Sequence, residues 1–522
     1  MIRRITMSKN TIIKGTLILT IAGFATRFIG VFYKIYLAKL MGAEMMGVYQ
    51  LVFPVYGVCF TLYASGIQTS ISRLIAAERG KNNDSNIKKI LAVGIFFSIS
   101  IALVLSVLLY MNSDYVARRL LLEPRSAKSL RVLAIVFPFC GVTACTNGYY
   151  YGIKKASVPG LSQLFEQIVR VLSVYIIATF MGNGNVTLTC ELAVLGLVFG
   201  EIVSNLYNVF SFIKGTSKDG KRRLYTYKKN SFFSTIRKEQ IPRNILKLAI
   251  PLTSNRLLIS LLQSFEAVLI PNMLKSSGLS SGDALSIYGI LTGMSMPFIM
   301  FPSTITNSFA VMLLPEVSEA QAAQNNRLID STTSISIKYS LLIGILSTGI
   351  FIIFGKPLGI VIYHNKLSGS FLTTLAWLCP FLYLSTTLGS IINGLGKAHI
   401  TFFNTVVGLT MRILFIIFMV PKKGIAGYLI GLLVSQLIIS FLDGLAIYRY
   451  ISITFQPLNW IVKPALIILF EGILIMHFYH YLTKVTEMPP LIILIVCCLM
   501  LAIGYFILLL ITKSISLKEF KR

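Results

Sequence analysis

Arg27 and Lys34 stand seven residues apart in "FATRFIGVFYK", inside an apolar run from Thr11 to Leu40 that holds no acid. Thr16, Thr20, Gly23, Arg27, Gly30 and Lys34 recur at steps of four and three, so they share one face of a helix. Every residue on that face is small or polar. As a binding stripe, Gly23 and Gly30 leave room for a bulky anion and Arg27 grips its oxygens through a charge-assisted fork. Lys34, about 10 Å further along the axis, is a second cation on the same face. As a packing seam, the same residues bring two helices close while Lys34 snorkels outward. The seam accounts for Lys34. It accounts poorly for Arg27, because a charge near mid-membrane costs about 2.5–3.5 kcal/mol.

A second polar set lies on Arg256, Gln263 and Glu266. Arg256 and Gln263, seven apart, share a face, and Glu266 sits about 80° round from Arg256. Two readings stand for Arg256: an anion-binding group facing Arg27 across a cleft, or an interior pair with an acid on a neighbouring helix. Glu266 is the acid that suits cation coupling. Glu166 and Arg170 are four apart and are expected to pair. Arg412 has Gly408 in the place of that glutamate, which leaves it available to a cavity. Asp443 reads as an interface residue. His477 and His480 lack the further ligands that a metal site needs. No G-x-x-x-x-G-K-[ST], H-E-x-x-H or G-x-S-x-G occurs, so neither a cofactor nor an enzymatic activity is expected.

The elements that carry these residues follow from composition. Of 522 residues 55% are hydrophobic and 13% charged, and the mean hydropathy is +0.76. That much apolar surface implies an all-α polytopic membrane protein. Apolar windows place fourteen spans at 11–38, 47–76, 90–111, 130–151, 158–181, 188–213, 244–274, 284–314, 335–355, 368–394, 400–420, 425–447, 460–481 and 490–512. The first run is too long for a cleaved signal peptide and carries Arg27 where an apolar h-region would be. The net charge of +29 raises nucleic acid as a partner. The charge distribution excludes it, because the basic residues concentrate in alternate loops. That positive-inside pattern sets both termini in the cytoplasm of a bacterial cell membrane. The densest loop, Lys214–Arg243, holds ten basic and two acidic residues and suits anionic lipid headgroups. Seven cysteines, an odd number without C-x-x-C, read as packing residues.

The chain carries one unit twice. "YGIKKA" from Tyr151 precedes Arg170, and "NGLGKA" from Asn393 precedes Arg412, at the same offset of 242. "GEIVSN" from Gly200 resembles "GLLVSQ" from Gly431, and "GVYQLV" from Gly47 resembles "SIYGIL" from Ser286. Six spans per half make the repeats parallel, related by an axis along the membrane normal. The expected organisation is a six-helix bundle over 1–213, the basic loop 214–243, a second bundle over 244–450, and two extra helices with a basic tail over 451–522. A cleft between the bundles would be the transport path. Pro54, Pro138, Pro251, Pro297, Pro302 and Pro380 fall inside spans, where broken helices are tolerated against protein or a wet cavity.

The stretch Lys14–Pro54, with "TRFIG" followed by "AKLMGA", resembles the first two helices of the polysaccharide exporters related to stage V sporulation protein B. "MLLPEVSEA" from Met312 and "NGLGKA" extend the resemblance along the whole chain. The related superfamily holds the lipid II flippases and the multidrug and toxin extrusion transporters. The resemblance implies a two-lobed, monomeric flippase that moves a lipid-linked anionic oligosaccharide or wall precursor outward by alternating access, with H⁺ or Na⁺ as a candidate coupling ion. Arg27 matches the arginine of the flippase SR-x-x-G motif. Lys34 falls one place beyond the family's second basic position. The second and eighth helices read "PVYGVCF" and "YGILTGMS", without the flippases' further basic residues. A cation-coupled drug exporter of the same fold is the alternative, disfavoured by a first helix without an acid before Glu44. A membrane polymerase or ligase would want a sizeable outer loop with catalytic groups, whereas the longest here, Met111–Ser129, is short and basic.

Overall fold

A computed structural model of the chain describes residues 2–80, 84–180, 189–220, 240–452 and 455–515. Helices α1 to α8 are Ile2–Phe60, Gly66–Gly80, Asp84–Met111, Ala127–Gly152, Ser157–Phe180, Cys190–Gly220, Ile241–Ser276 and Ser281–Gly289. Helices α9 to α16 are Ser303–Ala322, Asn326–Tyr363, Lys366–Leu375, Cys379–Gly394, Ala398–Lys423, Ile425–Tyr450, Lys463–Val485 and Pro490–Ile511. No strand occurs among the described residues. Apolar side chains force this outcome, since a helix satisfies its own backbone groups where water is absent.

Thirteen helical stretches among the described residues are long and apolar enough to cross a membrane. The first, Ile21–Arg79, is 59 residues long. At 1.5 Å per residue it would measure about 88 Å if straight, against a hydrocarbon core of about 30 Å. It therefore holds both the first and second expected spans. Gly42 divides them with φ 73° and ψ 175°, a conformation that breaks the helix and suits only glycine.

The second and eighth spans, both interrupted in sequence, differ from plain helices. Each contains a π-helical turn, Thr61–Ser65 and Ile290–Ser295. Such turns release backbone carbonyls, and side chains take them up. Ser98 Oγ donates to Tyr63 O at 2.6 Å. Tyr363 donates to Met294 O at 3.2 Å. After the second turn the helix runs on through Met296–Met300, and the chain restarts at Ser303, after Pro302. The expected span 284–314 is thus two successive helical pieces. Both ends of the expected basic loop are helical, since α6 runs to Gly220 and α7 begins at Ile241; residues 221–239 lie outside the described residues. The Met111–Ser129 connection is a chain of short helical turns, not an irregular loop.

The chain divides into two compact units. One comprises Met1–Tyr33 and Leu40–Val268, the other Lys34–Lys39 and Leu269–Arg522. The division falls within α7, whereas the sequence placed it at the basic loop. The reason lies in packing. Ile241, Ile245 and Ala249 join Ile67, Ile71 and Ile75 in one buried cluster. Gly66 of α2 lets α7 approach so closely that a Cβ there would lie 2.7 Å from Ala249 O. In the second unit, α15 and α16 pack on α10. Tyr505 donates to Leu342 O at 3.2 Å, so the last two helices belong to this unit.

Candidate functional site

The first helix presents its stripe unevenly. Arg27 is exposed, and Gly23 and Gly30 are half-buried. A Cβ at Gly23 would meet nothing within 4 Å, whereas one at Gly30 would lie 3.5 Å from Gln167 Nε2 on α5. Gly30 therefore faces α5, and Gly23 opens on space. Lys34 is half-buried and belongs to the second unit, while the stripe up to Arg27 and Gly30 belongs to the first. Nothing is described of the side chains of Thr16 and Thr20.

Arg256 departs from the sequence reading. It was expected in the second bundle, facing Arg27 or pairing with an acid. It lies in the first unit, on α7, and leans on the π turn of the second span. Its Nη1 donates to Ser65 O at 2.9 Å, to Ser65 Oγ at 2.6 Å and to Thr69 Oγ1 at 3.3 Å. Ser65, Thr69 and Arg73 follow one another at steps of four, on one side of the helix. Arg73 is within electrostatic reach of Arg256, and both are exposed. The two guanidiniums therefore stand together, one braced by a carbonyl and two hydroxyls. Neither makes an ion pair among the described residues. Such an arrangement attracts an anion with several oxygens, because each fork matches phosphate geometry. Arg73 went unnoticed in the sequence because it sits at the end of its span, where a basic residue looks like a topology anchor.

Gln263 is exposed on the same helix as Arg256, and Glu266 is buried. The angular offset read from sequence thus separates an open face from a packed one. Hydroxyls stitch the packed side to the second span. Ser260 and Thr61 lie 3.1 Å apart through their hydroxyls, and Ser264 donates to Pro54 O at 3.1 Å.

Arg412 in the second unit is engaged with α14, where a cavity-facing group was expected. Its Nε donates to Ser435 Oγ at 3.0 Å. Gly408, standing where its repeat partner has Glu166, admits Ile439 of α14. Asp443, read as an interface residue, is buried in the protein and accepts from Asn404 Nδ2 at 2.8 Å. His477 and His480 turn their rings back to the carbonyls of Ile473 and Met476. No metal-binding group of three occurs among the described residues.

Glu166 and Arg170 form the expected ion pair on α5. Sequence reading missed the third member of this cluster, Glu201 on α6, which is buried beside it. A signal was present. Glu201 lies within "GEIVSN", and the corresponding position of "GLLVSQ" is Leu432.

The description "Polysaccharide biosynthesis protein" matches residues 12–321, more than half of the chain. The chain belongs to the polysaccharide biosynthesis protein family. Stage V sporulation protein B of Bacillus subtilis (strain 168), a relative of this family member, is 25% identical over 466 residues, covering 89% of this chain and 88% of the relative. A solved structure of the lipid II flippase MurJ, in an inward closed conformation, superposes with a TM-score of 0.69 at 15% identity. That match covers 97% of this chain and all of the other. An outward-facing multidrug resistance MATE transporter of the MOP superfamily gives 0.60 at 14% identity over 84% of this chain and 95% of its own. The fold of this family member is therefore that of the MOP-superfamily transporters, and it is a multi-pass membrane protein.

Proposed function

We propose that this chain is a flippase that moves a lipid-linked anionic saccharide from the inner to the outer leaflet by alternating access. The supporting observation is the braced pair Arg73 and Arg256, two exposed guanidiniums without an ion pair among the described residues. Arg27, also exposed in an apolar helix, adds a third cation in the same unit. Guanidinium forks match the oxygens of a pyrophosphate headgroup, while its polyprenyl tail stays in the bilayer. The family and the relative named for sporulation point to wall or polysaccharide precursors as the class of saccharide. Both termini face the cytoplasm in this proposal.

The test is a flipping assay in proteoliposomes with a fluorescent polyprenyl-pyrophosphate saccharide. Flipping should depend on the protein and should be competed by unlabelled pyrophosphate lipid, but not by the uncharged polyprenol. Equal competition by the polyprenol would defeat the proposal. The second reading, a cation-coupled drug exporter, draws on the likeness to the MATE fold. Its chemistry wants an accessible acid facing a cationic drug. Glu266, the acid proposed for cation coupling on α7, is buried, whereas the exposed ionisable groups singled out on α1, α2 and α7 are arginines.

A further inference from the structure

The first unit contains a cluster of charges that phosphate binding does not use. Glu166 and Arg170 pair on α5, with their side chains 20% and 17% exposed. Glu201 of α6 faces them and is 7% exposed. Gly200, the preceding residue, allows this contact. A Cβ there would lie 2.7 Å from Glu166 O and 3.4 Å from Glu166 Cγ. The arginine is bound on two sides only. Nη2 donates to Glu166, Nη1 donates to Gln167 Oε1 at 3.3 Å, and the buried Nε has no hydrogen-bond partner.

Among the described residues, the neighbours do not balance the acids. Cys140 of α4 faces Glu201. Tyr56 and Tyr63 of the second span lie within its reach, and Tyr33 and Tyr49 lie beside Arg170. Thiol and phenol groups bring no positive charge. Arg170 is the cation that acts on both carboxylates. Two carboxylates against one guanidinium leave one negative charge in excess. An uncompensated buried charge is expensive, and a buried acid takes up a proton to avoid it.

We propose that Glu166, Arg170 and Glu201 form a proton-binding site in the first unit, in which Glu166 stays paired with Arg170 and the buried Glu201 takes up one proton. The proton resides on a carboxyl oxygen of Glu201 and cancels the excess charge. The proposal is independent of which substrate the protein moves.

The pH profile of stability tests it, using the purified full-length protein in detergent. A carboxyl held neutral in the fold, but ionised in the unfolded chain above about pH 4.3, costs stability progressively as pH rises. The wild-type thermal midpoint should therefore fall between pH 5 and the pH at which the site loses its proton. Glu201→Gln and Glu166→Gln each leave one acid against one guanidinium, so each should flatten that fall by several degrees. The double variant leaves Arg170 without a counter-charge and should melt lower than either at every pH. Infrared difference spectra of the wild type should show a carboxylic-acid band at low pH that disappears at high pH and is absent in Glu201→Gln. That measurement stands even where the double variant does not fold. Single variants that keep the wild-type slope, or a wild type without the band, would overturn the site. So would a midpoint at high pH restored by Na⁺ but not by N-methylglucamine, because the site would then hold a metal cation.

Discussion

At the scale of single residues, the arginines differ in what holds them. Arg256 is braced by Ser65 and Thr69, so its fork is ordered before any ligand arrives. Pre-ordering lowers the cost of binding. Arg256→Lys keeps the charge, but a single ammonium cannot bridge the same acceptors and still offer a fork. A hydrogen bond to a charged group contributes about 1.5–3 kcal/mol. The expected loss in affinity for a pyrophosphate lipid is therefore about tenfold to hundredfold, with unfolding stability little changed. The check is a binding titration beside a thermal melt. For Arg27, replacement by lysine should reduce flipping and replacement by alanine should abolish it, both with normal amounts of protein in the membrane. Loss of the Arg27→Ala protein from the membrane would make Arg27 structural. Full flipping by that variant would remove it from the binding site.

At the scale of elements, two glycines decide where helices can go. Gly42 separates the first two spans in a left-handed conformation. Gly42→Ala should cost about 1–2 kcal/mol, seen as a lower thermal midpoint. Gly66 admits α7, with Ala249 O where a side chain would be. Gly66→Val should overpack this contact at about 1–3 kcal/mol. It should also weaken phosphate-lipid binding, because it moves the helix that carries Arg256. A Gly66→Val protein with unchanged affinity would show that α7 does not position the arginine. The π turns belong to this scale as well. Sequence showed the second and eighth spans as long and interrupted, but which carbonyls escape the helix depends on Ser98, Arg256 and Tyr363 from other elements.

At the scale of the whole molecule, topology and coupling are the testable properties. Single cysteines at Ser217 and Lys518 should resist an impermeant thiol reagent in intact cells, because both lie on cytoplasmic segments in the proposed orientation. Labelling of either from outside reverses it. Glu266→Gln tests cation coupling on α7. If Glu266 couples transport, the variant loses the dependence of flipping on pH or Na⁺. If flipping is unchanged across both, Glu266 has only a packing role, and the membrane potential acting on the substrate's own charge becomes sufficient.

The sequence by itself determined the helical spans, since the length of an apolar run and a helical period are local properties. It also located the ion pair of Glu166 and Arg170, because residues four apart on one helix must be neighbours. It could not say which helix each exposed or buried face meets. Arg256 belongs with the second span because Gly66 and the isoleucines of α2 accept α7, and those contacts join residues nearly two hundred positions apart. Glu201 reaches Glu166 and Arg170 through the packing of α6 on α5 at Gly200. An acid and an arginine on different helices carry no spacing that reveals their meeting; only tertiary structure decides it.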